Sequence, residues 1–213
     1  MAAPQAPAVP PPSRVNVYVD GFNLFCSLKR RFAYREMNTD IAKLARAIIA
    51  TKPNRVLATA YYYIGVARPQ HDKESHEWWS RKLAAMGKLG VKTVRRNLKP
   101  RDLTVEITGI VNHKFQKVKL IEKGIDLRLG LDLVKHTTAK AFDAAIIFSQ
   151  DGDLAEAVQD SYEIAAQQKR HISVECAYPV DGINPQYGIN KATPIEFDRV
   201  LYDTCIDPTD YSV

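Results

Sequence analysis

Cysteine is scarce in this chain: Cys26, Cys176 and Cys205 are three in 213 residues, odd in number and far apart. They supply neither a disulfide framework nor a zinc site with C-x-x-C spacing, a usage that fits a reducing, cytoplasmic compartment. Long apolar runs are missing too. No stretch approaches the roughly 20 residues needed to span a bilayer, so a membrane partner is not expected. The opening MAAPQAPAVPPPS has neither the basic nor the apolar region of a signal peptide. No G-x-G-x-x-G follows the first predicted strand and no G-x-x-x-x-G-K-[ST] occurs anywhere, so dinucleotide and P-loop chemistry lack their phosphate cradles. His71 and His76 are five apart and do not share a helical face as paired metal ligands would.

What remains is the balance of an ordinary soluble domain, 46% apolar and 25% charged, with room for a single core. Five of the twelve prolines fall in the first twelve residues. Proline at that density neither donates backbone hydrogen bonds nor holds helical dihedrals, so residues 1–13 read as a disordered or polyproline leader. The domain is expected over 14–205, with 206–213 as a tail. Charge is polarised along it. The formal net charge is +6, yet Lys52 to Lys123 holds 16 Lys and Arg against 6 Asp and Glu, while the remainder is net negative. Basic clusters bind phosphate backbones through counterion release, so Arg95, Arg96, Lys99, Arg101, Lys114, Lys117 and Lys119 form a candidate nucleic-acid face.

Hydrophobic periodicity gives the architecture. RVNVYV (14–19) is a buried strand that breaks at Asp20-Gly21, and Leu24, Leu28 and Phe32 then recur at helical spacing. A second helix carries Ile41, Leu44, Ala45, Ile48 and Ile49, with Asn38 or Thr39 as its predicted cap and Pro53 beyond its end. RVLATAYYYI (55–64) is the next strand, a helix bears Trp79, Leu83 and Met86, and VKTVRRNL (91–98) is the third strand. TVEIT and KVKL, within about 100–120, read as a basic hairpin or an inserted arm. IDLRLGLDLV poses a conflict, because Ile125, Leu127, Leu129, Leu131 and Leu133 alternate with the period of a strand. The next strand, AFDAAIIFS, starts too soon for a parallel crossover, so a helix over about 125–136 fits better. Leu154, Val158, Tyr162 and Ala165 mark a helix and HISVECAY the last core strand. Alternating strands and helices imply parallel βαβ units and an open three-layer α/β/α sandwich with a mostly parallel central sheet.

In such a sheet ligands sit beyond the carboxyl ends of the strands, where strand order reverses. Asp20 follows the first strand, Asp151 and Asp153 follow AAIIF, and Asp126 begins the helix that starts from the same edge. Two carboxylates about 4 Å apart repel by roughly 4 kcal/mol at an effective dielectric of 20, so a cation is expected among them. Oxygen-only ligands suit Mg²⁺ or Mn²⁺, and a divalent ion there activates water and neutralises a scissile phosphate. Taken singly, each aspartate also suits a turn or a helix start.

Three segments, VNVYVDGFNLF (15–25), EKGIDLRLGLDLV (122–134) and FDAAIIFSQDGDLAEAV (142–158), together resemble the NYN domain, the LabA-like branch of the PIN-like nucleases. The resemblance covers about 14–178. It implies a PIN-like (Rossmannoid) fold, divalent-metal-dependent cleavage of RNA, and Asp20, Asp126, Asp151 and Asp153 as metal-binding acids with Asn23 their polar partner. The family commonly reads S-G-D-S-D-F where this chain has Ser149-Gln150-Asp151-Gly152-Asp153-Leu154. Both acids are kept, and Gln150 stands where glycine would let a phosphate backbone approach. A phosphatase of the haloacid-dehalogenase type would need an acid two residues after Asp20, and that position is Phe22. The competing reading is a non-catalytic RNA-binding or regulatory module.

Neighbouring residues have double readings. Lys123 and Arg128 either grip RNA phosphate or pair locally with Glu122 and Asp132, and Ser149 either contacts ligand or caps the following helix. Asp132, six positions after Asp126, falls on another helical face and reads as solvated. Tyr61, Tyr62 and Tyr63 read as strand packing, Trp78 and Trp79 as one core and one rim residue, and Cys26 as buried filler.

Overall fold

The computed structural model describes residues 10–106, 114–183 and 187–212. Residues 1–9 of the expected leader lie outside them, and 10–12 are exposed ahead of the first strand, which begins at Ser13. Among the described residues eight strands and six helices run in the order β1 (Ser13–Asp20), α1 (Gly21–Phe32), α2 (Ile41–Ile49), β2 (Arg55–Val66), α3 (Lys73–Lys88), β3 (Val91–Asn97), β4 (Lys99–Glu106), β5 (Lys114–Ile121), α4 (Ile125–Thr138), β6 (Ala144–Phe148), α5 (Ala155–Gln167), β7 (Ser173–Pro179), β8 (Thr193–Phe197) and α6 (Arg199–Asp203). No helix among the described residues is long and apolar enough to cross a membrane.

Six strands form one sheet in the order β3-β2-β1-β6-β7-β8, and every neighbouring pair is parallel. The pleat divides β1 between two cores. Val15, Val17 and Val19 point into a layer built with Leu24 and Leu28 of α1, α2, and Trp79, Leu83 and Met86 of α3. Tyr18 points the other way, to Ile125, Leu129 and Leu133 of α4 and Val158 of α5. Burying each such aliphatic side chain contributes about 1.5–3 kcal/mol, so the two cores fix which side each helix takes. The tyrosine run follows the same alternation: Tyr62 joins the first core, Tyr61 and Tyr63 the second.

The conflict over Ile125–Leu133 resolves as a helix. Ile125, Leu129 and Leu133 form one buried i, i+4 row, while Leu127 and Leu131 are exposed, so two helical rows together imitate a strand period. Other expectations are corrected. The cap of α2 is Asp40, whose carboxylate accepts from Lys43 N–H, because Thr39 instead bridges to Ile206 and bonds Tyr202. HISVECAY is not the last strand, since β8 pairs with β7. Nor do residues 206–212 leave the fold as the expected tail. Asp207 meets the buried Lys82 at 3.3 Å, and Tyr211 is largely buried against Trp78.

The segment after β3 is a hairpin. β4 and β5 pair antiparallel from Lys99↔Ile121 to Glu106↔Lys114 and join no strand of the main sheet. Among its basic residues Lys99, Arg101 and Lys119 are exposed, while the side chains of Lys114 and Lys117 lie outside the described residues.

Candidate active site at the switch point of the sheet

The chain runs outward from β1 to β2 and β3 on one side and from β6 to β7 and β8 on the other, so strand order reverses between β1 and β6. Beyond their carboxyl ends the connections diverge and leave a crevice. Asp20, the last residue of β1, caps α1: its Oδ1 accepts from Asn23 N–H at 3.0 Å. That cap holds the carboxylate at the mouth of the crevice, only 5% exposed. Burial, reinforced by the nearby charges of Asp151 and Asp126, pushes its pKa up to about 6.

Opposite it, β6 turns through Ser149-Gln150-Asp151 into a short 3₁₀ turn, Gly152–Leu154, which Asp151 caps by accepting from Asp153 N–H at 3.0 Å. This turn is tied to α1 from two sides. Asn23 Oδ1 accepts from Gln150 N–H at 3.0 Å, and Ser27 donates to the Gln150 side chain at 3.0 Å. Asn23 therefore fixes Asp20 with its backbone and the Asp151 turn with its side chain. Asp126 enters from the first turn of α4, which follows Gly124. At that glycine φ is +73°, a left-handed backbone that favours glycine, while the one close side chain, Arg96, is long enough to move aside.

Asp20, Asp126 and Asp151 all line one cavity of about 760 Å³. A fourth acid on that wall escaped the sequence reading. Glu122 accepts from Gly65 N–H, and burial, with Asp20 and Asp126 nearby, pushes its pKa up to about 7. Its signal was its place at the head of the EKGID segment, where it read only as a local partner for lysine. Asp153 lies elsewhere: it is exposed and lines a separate groove between α4 and α5 with Asp126, Glu156 and Asp160. Among the described residues no group of three or more His, Cys, Asp or Glu has the arrangement to hold a metal ion.

The basic residues divide. Arg96, Lys99 and Lys123 line a cleft of about 570 Å³ with Arg68 and His71, and Lys123 and Gly124 also border the acidic cavity. Arg95 is exposed on the edge strand β3. Arg128 is spoken for by Asp132 at 2.8 Å, and Asp132 is buried rather than solvated because Tyr63 also donates to it. Ser149 is 2% exposed, and its hydroxyl accepts from Asp151 N–H, so it braces the turn from within. Cys26 is half-buried and lines the cavity instead of filling the core.

Comparison with known proteins bears on the family and the fold. The protein is 25% identical over 163 residues to the low amplitude and bright protein LabA of Synechococcus elongatus, covering 76% of this chain and 73% of that one. A crystal structure of a protein of unknown function from Vibrio parahaemolyticus superposes with a TM-score of 0.51 at 14% identity, over 88% of this chain and 94% of that one, a likeness of fold alone. The NYN domain profile matches residues 14–163, and the chain belongs to the NYN domain family, within the PIN-like nuclease superfamily.

Proposed function

We propose that the protein is a divalent-cation-dependent ribonuclease that hydrolyses RNA phosphodiester bonds at the Asp20, Glu122, Asp126 and Asp151 wall. The observation that carries this reading is the gathering of four carboxylates, from three distant segments, at the switch point of a parallel sheet. Two of them are held against desolvation and mutual repulsion, a cost that a folded chain retains where function uses it. The donor set fits a hard cation, being all oxygen, and Asp20, Asp126 and Asp151, with Glu122 beside them, are the residues that would hold Mg²⁺ or Mn²⁺. When bound, such an ion supplies charge neutralisation at the phosphate and a more acidic water.

The chain's own residues do the rest. Asn23 keeps the Asp20 and Asp151 segments in register, Ser149 braces the Asp151 turn, and Lys123 stands where cavity and cationic cleft meet, placed to hold the phosphate chain of a strand. Asp153 is assigned the adjacent groove and not the wall. The second reading, an RNA-binding module without turnover, is favoured by one observation: the acids share a wall without forming a ready ligand group among the described residues. The test is incubation of end-labelled single-stranded and hairpin RNAs with Mg²⁺, Mn²⁺ or EDTA, beside Asp151→Asn. Cleavage that needs the cation and vanishes in the variant supports the enzyme. Retarded but uncut RNA in every condition supports the module.

A further inference from the structure

The acidic cavity is larger and greasier than phosphoryl chemistry asks for. Besides its carboxylates and the polar Asn23, Lys119 and Lys123, much of its wall is apolar, with Phe22, Met37, Ile64, Trp79, Leu98 and Leu120. A volume of about 760 Å³ lies in the range of pockets that enclose an organic ligand, and these apolar side chains offer nothing to a phosphate. Phe22 is the notable member. It follows Asp20 by two residues on the first turn of α1, lines the cavity, and is 51% exposed, so its ring faces the opening beside the acids. Deeper in, Ile64 and Trp79 are nearly buried.

Leu98, Lys123 and Gly124 border both this chamber and the cationic cleft of Arg68, Arg96 and Lys99. Phosphates and an apolar flat ring therefore have contiguous places, separated by one wall. We infer that the chamber is a nucleobase site: an unpaired base of a single-stranded RNA enters it and stacks on Phe22, while flanking phosphates lie along Lys123, Arg96 and Lys99. Aromatic rings are sequence-tolerant platforms for unstacked bases, and cationic grooves track the backbone. A base in a duplex is stacked and paired and must be extruded to enter, which makes the chamber a filter for unpaired strands. This inference rests on the ribonuclease reading for the identity of the strand, but binding tests it without turnover.

The experiment is fluorescence anisotropy in EDTA with a labelled oligouridylate of about 12 nucleotides, within the span a single-strand-binding surface covers. Its comparators are a duplex of equal length and an abasic strand of equal charge. Wild type binds the oligouridylate more tightly than either comparator. Phe22→Ala weakens oligouridylate binding by roughly five- to a hundredfold, the range of one lost base–aromatic stack, and leaves abasic binding unchanged. Phe22→Trp stays within about twofold of wild type. Because Phe22 is exposed, these variants fold. Equal affinity of wild type and Phe22→Ala for oligouridylate, equal affinity for abasic and base-bearing strands, or no binding at all overturns the inference. A parallel Mn²⁺ incubation separates the two readings. Base-dependent binding without cleavage sinks the nuclease and keeps the chamber, whereas cleavage indifferent to Phe22 does the reverse.

Discussion

Replacing Asp20 by asparagine is expected to stabilise the cation-free protein at alkaline pH while abolishing cleavage. Asp20 is 5% exposed, and burial with neighbouring acids raises its pKa from 3.8 to about 6. The sign follows from proton uptake. A carboxyl whose folded pKa is raised binds more protons folded than unfolded, so its favourable contribution is full below about 4 and is lost as pH rises through about 6. That interval corresponds to about 3 kcal/mol at 1.36 kcal/mol per tenfold change in proton affinity. Asparagine caps a helix about as well as aspartate, so the bond from Asn23 N–H is kept, though the favourable charge at the start of α1, about 0.3–1 kcal/mol, is given up. The net gain is about 2 kcal/mol at pH 8 and nothing at pH 4. Urea unfolding in EDTA at both pH values reads it as a midpoint shift on the order of 1 M, from typical urea slopes. A variant that is no more stable than wild type at pH 8, or whose gain is the same at both pH values, refutes the electrostatic argument.

Three further outcomes follow from the same reasoning. Glu175 is 2% exposed. Although burial pushes its pKa up, hydrogen bonds from Arg55 and Lys52 hold it below the usual range, so its contribution is present above about 4.5 and lost as pH falls through its folded value. Glu175→Gln leaves Arg55 unmatched and costs about 3 kcal/mol at pH 7 by urea unfolding, whereas Lys52→Ala, removing the more exposed partner, costs less than about 1 kcal/mol. Asp207→Asn removes the carboxylate facing the 1% exposed Lys82, leaving the Trp78 and Tyr211 rings and the nearby charge of Asp40; a loss of about 2–4 kcal/mol and faster proteolysis beyond Cys205 are expected. Arg96→Glu with Lys99→Glu weakens RNA of any sequence alike and lowers the salt dependence of binding by roughly 0.7 for each phosphate no longer neutralised, measured as log affinity against log salt.

The centre of the sheet was legible because β1 and β6 are short, almost wholly buried and followed by helices of the right period. Val15–Val19 and Ala144–Phe148 have no polar residue facing solvent, so their apolar runs could be read without knowing their neighbours. β8 was not legible: TPIEF is an edge strand with two exposed residues at its start, and only pairing with β7 makes it one. At the site, Asp20, Asp126 and Asp151 could be placed by chain order, because strand ends and helix starts are set by local signals. Glu122 and Asp132 could not. The first is drawn to the wall by Gly65 N–H on β2, the second is buried by Tyr63 on the same strand, and both are tertiary interactions across 57 and 69 residues. Arg128 and Ser149 carried plausible ligand chemistry, but Asp132 takes the one and burial closes off the other.

The hairpin of β4 and β5 leaves the main sheet at the end of β3 and returns directly to Glu122 and α4. It shares no ladder with the six-stranded sheet, so its own pairing does not set the register of any core strand. Its base, by contrast, supplies Leu98, Lys99, Leu120 and Glu122, which border the two adjoining cavities. The fold thus gives the arm a ladder of its own, apart from the sheet that carries the acids. Asp20, Asp126 and Asp151 are positioned by β1, α4 and the β6 turn, so the sheet and not the arm sets their places.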